Sequence, residues 1–502
     1  MARPALMDAP EQAAHWLRGC VSAQLQTDSR KVRRGDGLIA WPGAAHDARR
    51  FVPGALAAGA AACLVEQEGS EAFGFDDARV RAYRGLKAAT GPIAALYCGE
   101  PSRQLDLLAI TGTNGKTSTA WWLAQALSAL RRDPPAPCAV VGTLGIGQPP
   151  AVESNGLTTP DPVLLQQALR HFVDSGFSAC AIEASSIGLA EHRLDGCHVR
   201  VAVFTNFTQD HLDYHGSMAA YWEAKAALFR WPGLQAAVVN VDDPKGRELV
   251  TRLAGSTVDV WTVSQQQPAR ITARNLSHGA LGLSCQVQEG AGPAVVLQTR
   301  VIGDYNITNL LCTLAVLRAL GHRLEDAVAA CGDLLPVPGR MECVGGSAAP
   351  LVAIDYAHTP DALAQALMAL RPLAAQRGGR LWCVFGCGGD RDATKRPLMA
   401  AQAQHHADRL VLTSDNPRSE PAEAILAQMQ RGLHTPDGVT VQPDRARAIA
   451  DTLLQAGAAD VVLVAGKGHE TYQEIAGVRH PFSDRAHAEA ALARRSDSGR
   501  AA

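Results

Sequence analysis

The sequence predicts an α/β protein in three parts. A small N-terminal α/β domain covers 1–90, and a central domain over 91–338 carries a mainly parallel sheet flanked by helices. A C-terminal Rossmann-like α/β domain covers 339–502. Three observations carry this reading. Apolar runs of strand length alternate with amphipathic runs of helix length along most of the chain, the pattern of βαβ crossovers. At 105–119, LDLLAITGTNGKTST, a buried-strand run turns through glycines into a helix, the layout of a P-loop-type sheet. Finally, Pro336-Val337-Pro338-Gly339-Arg340 interrupts the alternation with a stiff linker, after which it resumes.

The first part reads as a strand at 37–41, a helix at 48–59 ending in glycine, and a strand at 61–65. Ser29, before the first strand, and the loop Ala44-Ala45-His46, between that strand and the helix, read, taken alone, as turn chemistry. In the central part strands are expected at 105–111, 139–146, 178–184, 199–205 and 236–241, and helices at 116–130, 161–174 and 217–230. A polar, β-like excursion follows at 257–300, and 303–309 opens an apolar helix to Leu320. The last part should place strands at 351–355, 381–386, 409–413 and 460–465, with helices at 361–371, 396–406, 421–431 and 444–456. In such sheets ligands bind beyond the carboxyl ends of strands, and the polar clusters of this chain fall there.

The bulk numbers exclude several classes. Apolar content of 47% and charged content of 19% describe a globular chain able to bury several cores. A net charge of −2, mixed along the chain, offers no field for nucleic acid or an anionic membrane. No apolar run reaches membrane-span length, so no membrane insertion is expected. The first residues carry acids early and no long apolar region, so no secretion signal is expected. Twelve cysteines form no paired framework, and Cys383 and Cys387 lack the second pair a zinc site needs. Reduced thiols and a cytoplasmic location are the expectation.

The turn at 111–117 carries the first chemistry. Backbone N–H groups of Gly112, Thr113, Asn114 and Gly115 and the helix start at Lys116, Thr117 and Ser118 can face phosphates. Lys116 adds a point charge and the Thr117 hydroxyl can ligate Mg²⁺. Ile110 stands where the standard pattern has its first glycine, so this loop is a shorter form. Glu183, ending an apolar strand, is the natural carboxylate partner of Thr117. His211 reads either as a ligand or, as is commoner after a strand, as a satisfied loop residue. Lys225, alone on an amphipathic helix, reads as solvated. Asp415-Asn416-Pro417-Arg418 forms a rigid corner suited to a zwitterionic amino acid: Arg on the carboxylate, acid or amide on the ammonium. Arg391, Gly466 and Glu470 lie past neighbouring strand ends and could complete it. An N-capped helix with a surface ion pair, using Glu420 or Glu423, fits the same spacing equally well.

Several motifs in register resemble the ATP-dependent Mur ligase family. They are Thr111-Gly112-Thr113-Asn114-Gly115-Lys116-Thr117, Glu183-Ala184-Ser185-Ser186, the run 206–215 (NFTQDHLDYH), 303–309, Pro338-Gly339-Arg340-Met341-Glu342 and Asp355-Tyr356-Ala357-His358-Thr359-Pro360. They occur in the family's order across nearly the whole chain. The resemblance implies an ADP-forming amide ligase of peptidoglycan precursor synthesis, working through an acyl phosphate. Its N-terminal domain would hold a UDP end, the central one ATP, and the C-terminal one an incoming amino acid. It implies a catalytic set of Lys116, Lys225, Glu183 and His211, and Mg²⁺ held by Thr117, Glu183, His211 and a carbamylated Lys225. Asn309, Arg340 and Asp355 would meet ATP. Ser29 with the 44–46 loop would meet uridine, and Thr158, Thr159, Ser185, Glu191 and Arg193 the muramoyl-dipeptide. Gly389-Asp390-Arg391-Asp392, the 415–418 tetrad and Gly466-Lys467-Gly468-His469-Glu470 resemble the members that add meso-diaminopimelate to UDP-N-acetylmuramoyl-L-alanyl-D-glutamate; lysine-adding and folate-type relatives differ at the tetrad. The implied partners are these small molecules alone, met by a monomer. Departures are Ile187, where members often carry histidine, Glu191, where they often carry glutamine, and the alanines at 44–45.

Overall fold

The computed structural model describes residues 4–43, 46–130, 136–279, 282–346, 348–435 and 437–500. Ala44 and Ala45, and with them most of the expected uridine loop, lie outside the described residues. Three α/β sheets follow one another along the chain. The first has β1 (Ala5–Met7), β2 (Leu25–Gln26), β3 (Gly37–Ala40), β4 (Ala62–Glu66) and β5 (Val80–Tyr83), all parallel in the order β1-β5-β4-β3-β2. The helix expected at 48–59 is a 3₁₀ turn, Ala48–Phe51, followed by a short α-helix, Val52–Ala57. Pro53 in the first turn sets this break, since it has no N–H to donate backward.

The central sheet has eleven strands. In chain order they are β6 (Asp106–Thr111), β7 (Cys138–Gly142), β8 (Gly145–Gln148), β9 (Ala151–Glu153), β10 (Ala179–Glu183), β11 (Val201–Phe204), β12 (Ala236–Asn240), β13 (Asp259–Ser264), β14 (Ile271–Gly279), β15 (Gly282–Glu289) and β16 (Val295–Thr299). Their order is β16-β15-β14-β13-β12-β11-β6-β10-β7-β8-β9. Pairing is parallel from β14 to β7 and antiparallel in the two hairpins that close the edges. The single strand expected at 139–146 is thus the hairpin β7–β8. Gly145 (φ +144°) permits its turn, and a methyl group there would sit 2.6 Å from the Glu153 carbonyl.

The phosphate-loop strand β6 lies in the middle of this sheet, buried on both faces. Leu108 and Ile110 pack under the helices Lys116–Ala129 and Asp304–Ala319, while Leu107 and Ala109 pack under Pro162–Asp174 and Met218–Ala226. Alternating side chains serve opposite faces because the strand repeat is two residues, and both faces are covered as crossover helices require.

The last sheet has β17 (Glu342–Gly345), β18 (Leu351–Asp355), β19 (Leu381–Phe385), β20 (Arg409–Leu412), β21 (Val439–Val441) and β22 (Val461–Ala465). Its order is β17-β18-β22-β19-β20-β21, parallel except at β17. A separate hairpin, β23 (Tyr472–Ile475) and β24 (Val478–Pro481), follows. Among the described residues no helix is long and apolar enough to cross a membrane. All twelve cysteines are free thiols.

Candidate active site

The polar residues at the carboxyl end of β6 and its neighbours form one connected cluster. Two glycines make the loop possible. Gly112 (φ +145°) and Gly115 (φ +85°) hold conformations other residues avoid, and a methyl group would come within 1.9 Å of Thr205 Oγ1 and 2.3 Å of Asn309 Oδ1 respectively. The loop is pinned to the end of β11: Thr205 Oγ1 donates to the Asn114 carbonyl at 2.6 Å, and the Asn114 N–H donates to Asn206 Oδ1 at 2.8 Å. Thr113 Oγ1 lies 3.1 Å from the Tyr221 hydroxyl, and Ser118 is buried in the first turn of the helix. Asn309 is buried and takes its orientation from Asn306 Oδ1 at 3.0 Å.

Two lysines converge on one carbonyl. Lys116 Nζ donates to the Gly112 and Thr113 carbonyls at 2.9 and 2.8 Å. Lys225 Nζ donates to the same Gly112 carbonyl at 2.7 Å, 4.5 Å above the Tyr221 ring. The solvated reading of Lys225 is corrected: it is 1% exposed. Its helix faces the sheet at this point, and the stem fills the space beside Tyr221. Burial, with repulsion from Lys116, pushes the Lys225 ammonium well below its ordinary range. Burial likewise lowers Lys116, against the pull of Glu183 and Asp210.

Glu183 is 1% exposed and fully engaged. Its Oε2 accepts from Thr117 Oγ1 at 3.0 Å and from Thr143 Oγ1 at 3.2 Å, and its Oε1 accepts from the Thr143 N–H at 2.8 Å. Arg340 Nη2 donates to Thr117 Oγ1 at 3.1 Å from the linker into the last sheet. A carboxylate and a hydroxyl in contact, beside a phosphate loop, suit Mg²⁺, which takes oxygen ligands and keeps several waters. Among the described residues no three His, Cys, Asp or Glu side chains stand close enough to hold a metal by themselves. His211 is not joined to Glu183 or Thr117 by any hydrogen bond among the described residues. It packs edge-on to Tyr221, with Nε2 3.4 Å from Asp210 Oδ2, and burial lowers its basicity.

Asp210, in the 206–215 run beside His211, is also a member of the cluster. Burial would raise its carboxyl, but His358, His211 and Lys395 outweigh this and draw it down to about 2. His358 and Lys395 come from the last part of the chain, as does Asp361, which accepts from Asn114 Nδ2 at 3.3 Å. Asp355 is buried at the end of β18 and accepts from the Met341 N–H at 2.8 Å. Burial raises its carboxyl to about 6 despite Arg340.

Behind Glu183, Thr159 Oγ1 donates to the Glu183 carbonyl at 2.7 Å and lies 2.9 Å from Ser185 Oγ. Arg193 Nη1 donates to the Thr159 carbonyl at 2.8 Å, and Thr158 Oγ1 meets Thr143 Oγ1 at 3.0 Å. Glu191 is paired: Lys87 Nζ lies 2.7 Å away and the Tyr214 hydroxyl donates to its other oxygen. Thr143 links Glu183 to Thr158; its position directly after β7 was the only signal for it. Ser29 lies on a 3₁₀ turn of the first part of the chain, capped by Asp28.

The tetrad at the end of β20 is a second cluster. Asn416 Nδ2 donates to Glu470 Oε2 at 2.7 Å, and Asn416 Oδ1 accepts from Lys467 Nζ at 3.0 Å. Lys467 is fully buried and also donates to Glu470 Oε2 at 2.7 Å. The amide expected to meet an ammonium is therefore largely spent on fixing Glu470. Arg418 (φ +53°) turns Nη1 onto the Gly389 carbonyl at 2.7 Å. The surface ion-pair alternative does not form: Glu420 pairs instead with the buried Arg396 at 2.7 Å. Exposed Arg391 and half-buried Arg418 flank Gly388: a methyl group there would lie 3.7 Å from Arg391 Cγ and 2.9 Å from Arg418 Nη1. Gly466 (φ +112°) backs onto Asp415, whose Oδ2 a methyl group would meet at 2.4 Å. Pro417 is buried, its carbonyl 1.9 Å from where a methyl group on Gly389 would sit. One short path joins the two clusters. Arg340 lies 4.5 Å over the Tyr356 ring, the Tyr356 ring packs at a tilt against His469 at 5.3 Å, and Gly339 is tight against the 468–469 backbone.

A phosphate loop, a carboxylate–hydroxyl pair beside it, and a zwitterion-type corner on the next sheet define a nucleotide-driven ligase. The chain matches the Mur ligase middle domain over residues 110–317 and the Mur ligase glutamate ligase domain over 339–468. It belongs to the Mur ligase family. It is 61% identical over 488 residues to the UDP-N-acetylmuramoyl-L-alanyl-D-glutamate–2,6-diaminopimelate ligase of Acidovorax sp. (strain JS42), covering 97% of each chain. The Pseudomonas aeruginosa protein of that name is 46% identical, covering 95% of this chain and 96% of that one. A solved structure of a ligase so named superposes with a TM-score of 0.66 at 36% identity, covering 94% and 95%. MurF from Acinetobacter baumannii shares the fold, with a TM-score of 0.66 at 19% identity.

Proposed function

We propose that the chain joins meso-2,6-diaminopimelate to UDP-N-acetylmuramoyl-L-alanyl-D-glutamate, splitting ATP to ADP and phosphate. The observation that carries this reading is the Arg340 path, which ties the Thr117–Glu183 pair to the Asn416–Lys467–Glu470 corner. The relatives' printed names support the choice of substrates. We take 1–90 as the part serving the UDP end, with Ser29 in it, 91–338 as the ATP part and 339–502 as the amino-acid part.

In this mechanism the D-glutamate γ-carboxylate attacks the γ-phosphorus of ATP, the bond to the ADP oxygen breaks, and an acyl phosphate forms. Lys116 leaves the Gly112 and Thr113 carbonyls to meet the phosphate oxygens, so its contribution is charge and position. Thr117 and Glu183 would hold Mg²⁺, which when bound would supply charge neutralisation on the phosphates. Asn309, Arg340 and Asp355 bound the nucleotide, while Thr158, Thr159, Ser185 and Arg193 hold the muramoyl-dipeptide. Arg391 and Arg418 take the amino acid's carboxylate, and Glu470 Oε1 its ammonium. The diaminopimelate amine then attacks the acyl carbon and phosphate leaves. Water must be excluded throughout, or the acyl phosphate hydrolyses.

Lys225 is a candidate for carbamylation. Its depressed basicity favours the neutral amine, which adds to CO₂ with loss of a proton and turns a cation into an anionic oxygen ligand. His211 stands beside it as a further ligand. The enzyme is placed in the cytoplasm as a monomer acting on small molecules, without nucleic acid. The test is phosphate release. It should require ATP, the UDP-muramoyl-dipeptide and meso-diaminopimelate together, with L-lysine a poor substitute. Release with ATP alone would overturn the reading.

A further inference from the structure

The hairpin β23–β24 grips the 415–418 tetrad along its whole length. Gln473, buried, donates through Nε2 to the Asp415 carbonyl at 2.7 Å and to Ser414 Oγ at 3.1 Å. The Glu474 N–H donates to Asn416 Oδ1 at 2.9 Å. The Arg418 N–H donates to the Glu474 carbonyl at 3.0 Å, and the Ala476 N–H donates to the Arg418 carbonyl at 2.7 Å. Four hydrogen bonds between this strand with its turn and the tetrad thus fix three tetrad residues. Arg418 and Ala476 both hold left-handed backbones, φ +53° and +50°, which non-glycine residues rarely adopt. Such a conformation persists only where the surroundings over-determine it, and here the two strained residues clasp each other. The antiparallel partner sets the register, with Gln473 opposite His480 and Glu474 opposite Arg479. Tyr472 is held between Lys467 at 5.5 Å and Arg479 at 4.4 Å.

We propose that the 472–481 hairpin is the specificity-determining support of the amino-acid site, and that Gln473 is its positioning residue. Gln473 is buried with its amide spent on Ser414 and Asp415, so its role is to position. Its amide holds the Asp415 carbonyl, so the strand fixes where the Asn416 amide and the Arg418 guanidinium point. Without it Arg418 is free to relax to an ordinary backbone conformation and swing its guanidinium away. This inference rests on the reading of the tetrad given under Proposed function.

The experiment is steady-state kinetics on the full chain with Gln473→Met, which keeps the length and removes the donor. The KM for meso-diaminopimelate should rise about 10-fold, the scale of one lost hydrogen bond to a buried carbonyl. The KM values for ATP and the UDP-muramoyl-dipeptide should stay within about 2-fold, and preference for meso-diaminopimelate over L-lysine should fall. A merely structural role would lower melting temperature and active fraction without this split. Gln473→Asn, which keeps an amide one methylene short, should show the same split more weakly and covers the case of a poorly folding Met variant. A diaminopimelate KM that is unchanged, or that rises in step with the other two, overturns the proposal. If the unmodified chain fails to release phosphate with meso-diaminopimelate, the function reading itself has failed. If it does release phosphate and the variants show no split, only the hairpin inference has failed.

Discussion

Lys116 and Lys225 donate to one carbonyl, that of Gly112, although 109 residues separate them in the chain. Burial makes both less basic than an exposed lysine, and the Lys116 charge lowers Lys225 further. Lys116→Met should cut phosphate release by more than about 100-fold, as loss of a transition-state charge does, with the fold intact by circular dichroism. Asp355 yields a stability prediction. Its carboxyl is raised from 3.8 to about 6 by burial. The unfolded chain therefore loses this proton first as pH rises, so this group's contribution to stability is greatest below pH ~4 and lost between about 4 and 6. The loss is about 3 kcal/mol at most, from 1.36 kcal/mol per unit. Asp355→Asn should flatten that part of a melting-temperature profile; an unchanged slope would contradict the shift. Asp210 runs the other way. Lowered to about 2, it contributes stability above pH ~4 that is lost as pH falls toward 2.

Among the elements, the phosphate loop was the most legible because its demands are local. A buried strand, left-handed glycines and a helix start leave a mark within fifteen residues. Gly115→Ala should cost about 1–3 kcal/mol of stability and weaken ATP binding, since the methyl group meets strain and Asn309 together; thermal melts with and without ATP check both. The strand expected at 139–146 failed as an element because Gly145 reverses the chain, and apolar content alone does not register a turn. The tetrad was legible as chemistry but not as structure. Arg418→Ala should raise the KM for meso-diaminopimelate by the equivalent of about 2–5 kcal/mol, the range for truncating a buried charge pair, and steady-state kinetics reads it directly.

Across the whole molecule, the cluster at the phosphate loop meets the last part of the chain through few residues: Arg340 on Thr117, Asp361 on Asn114, and His358 and Lys395 around Asp210. Arg340→Ala should raise the KM for ATP by the equivalent of about 1.5–3 kcal/mol, the worth of a charged hydrogen bond, while leaving the melting temperature of the first sheet's unit unchanged. Alternation along the sequence was enough to determine the α/β class, the polar ends past the strands and the phosphate loop, because periodicity and backbone conformation act between near neighbours. Whether Lys225 is solvated or buried, that Thr143 joins Glu183 to Thr158, and that β23 clasps Arg418 were decided only by the tertiary structure. Those contacts close over 15 to more than 100 residues, and their energies depend on burial and mutual distance, which no local pattern of residues encodes.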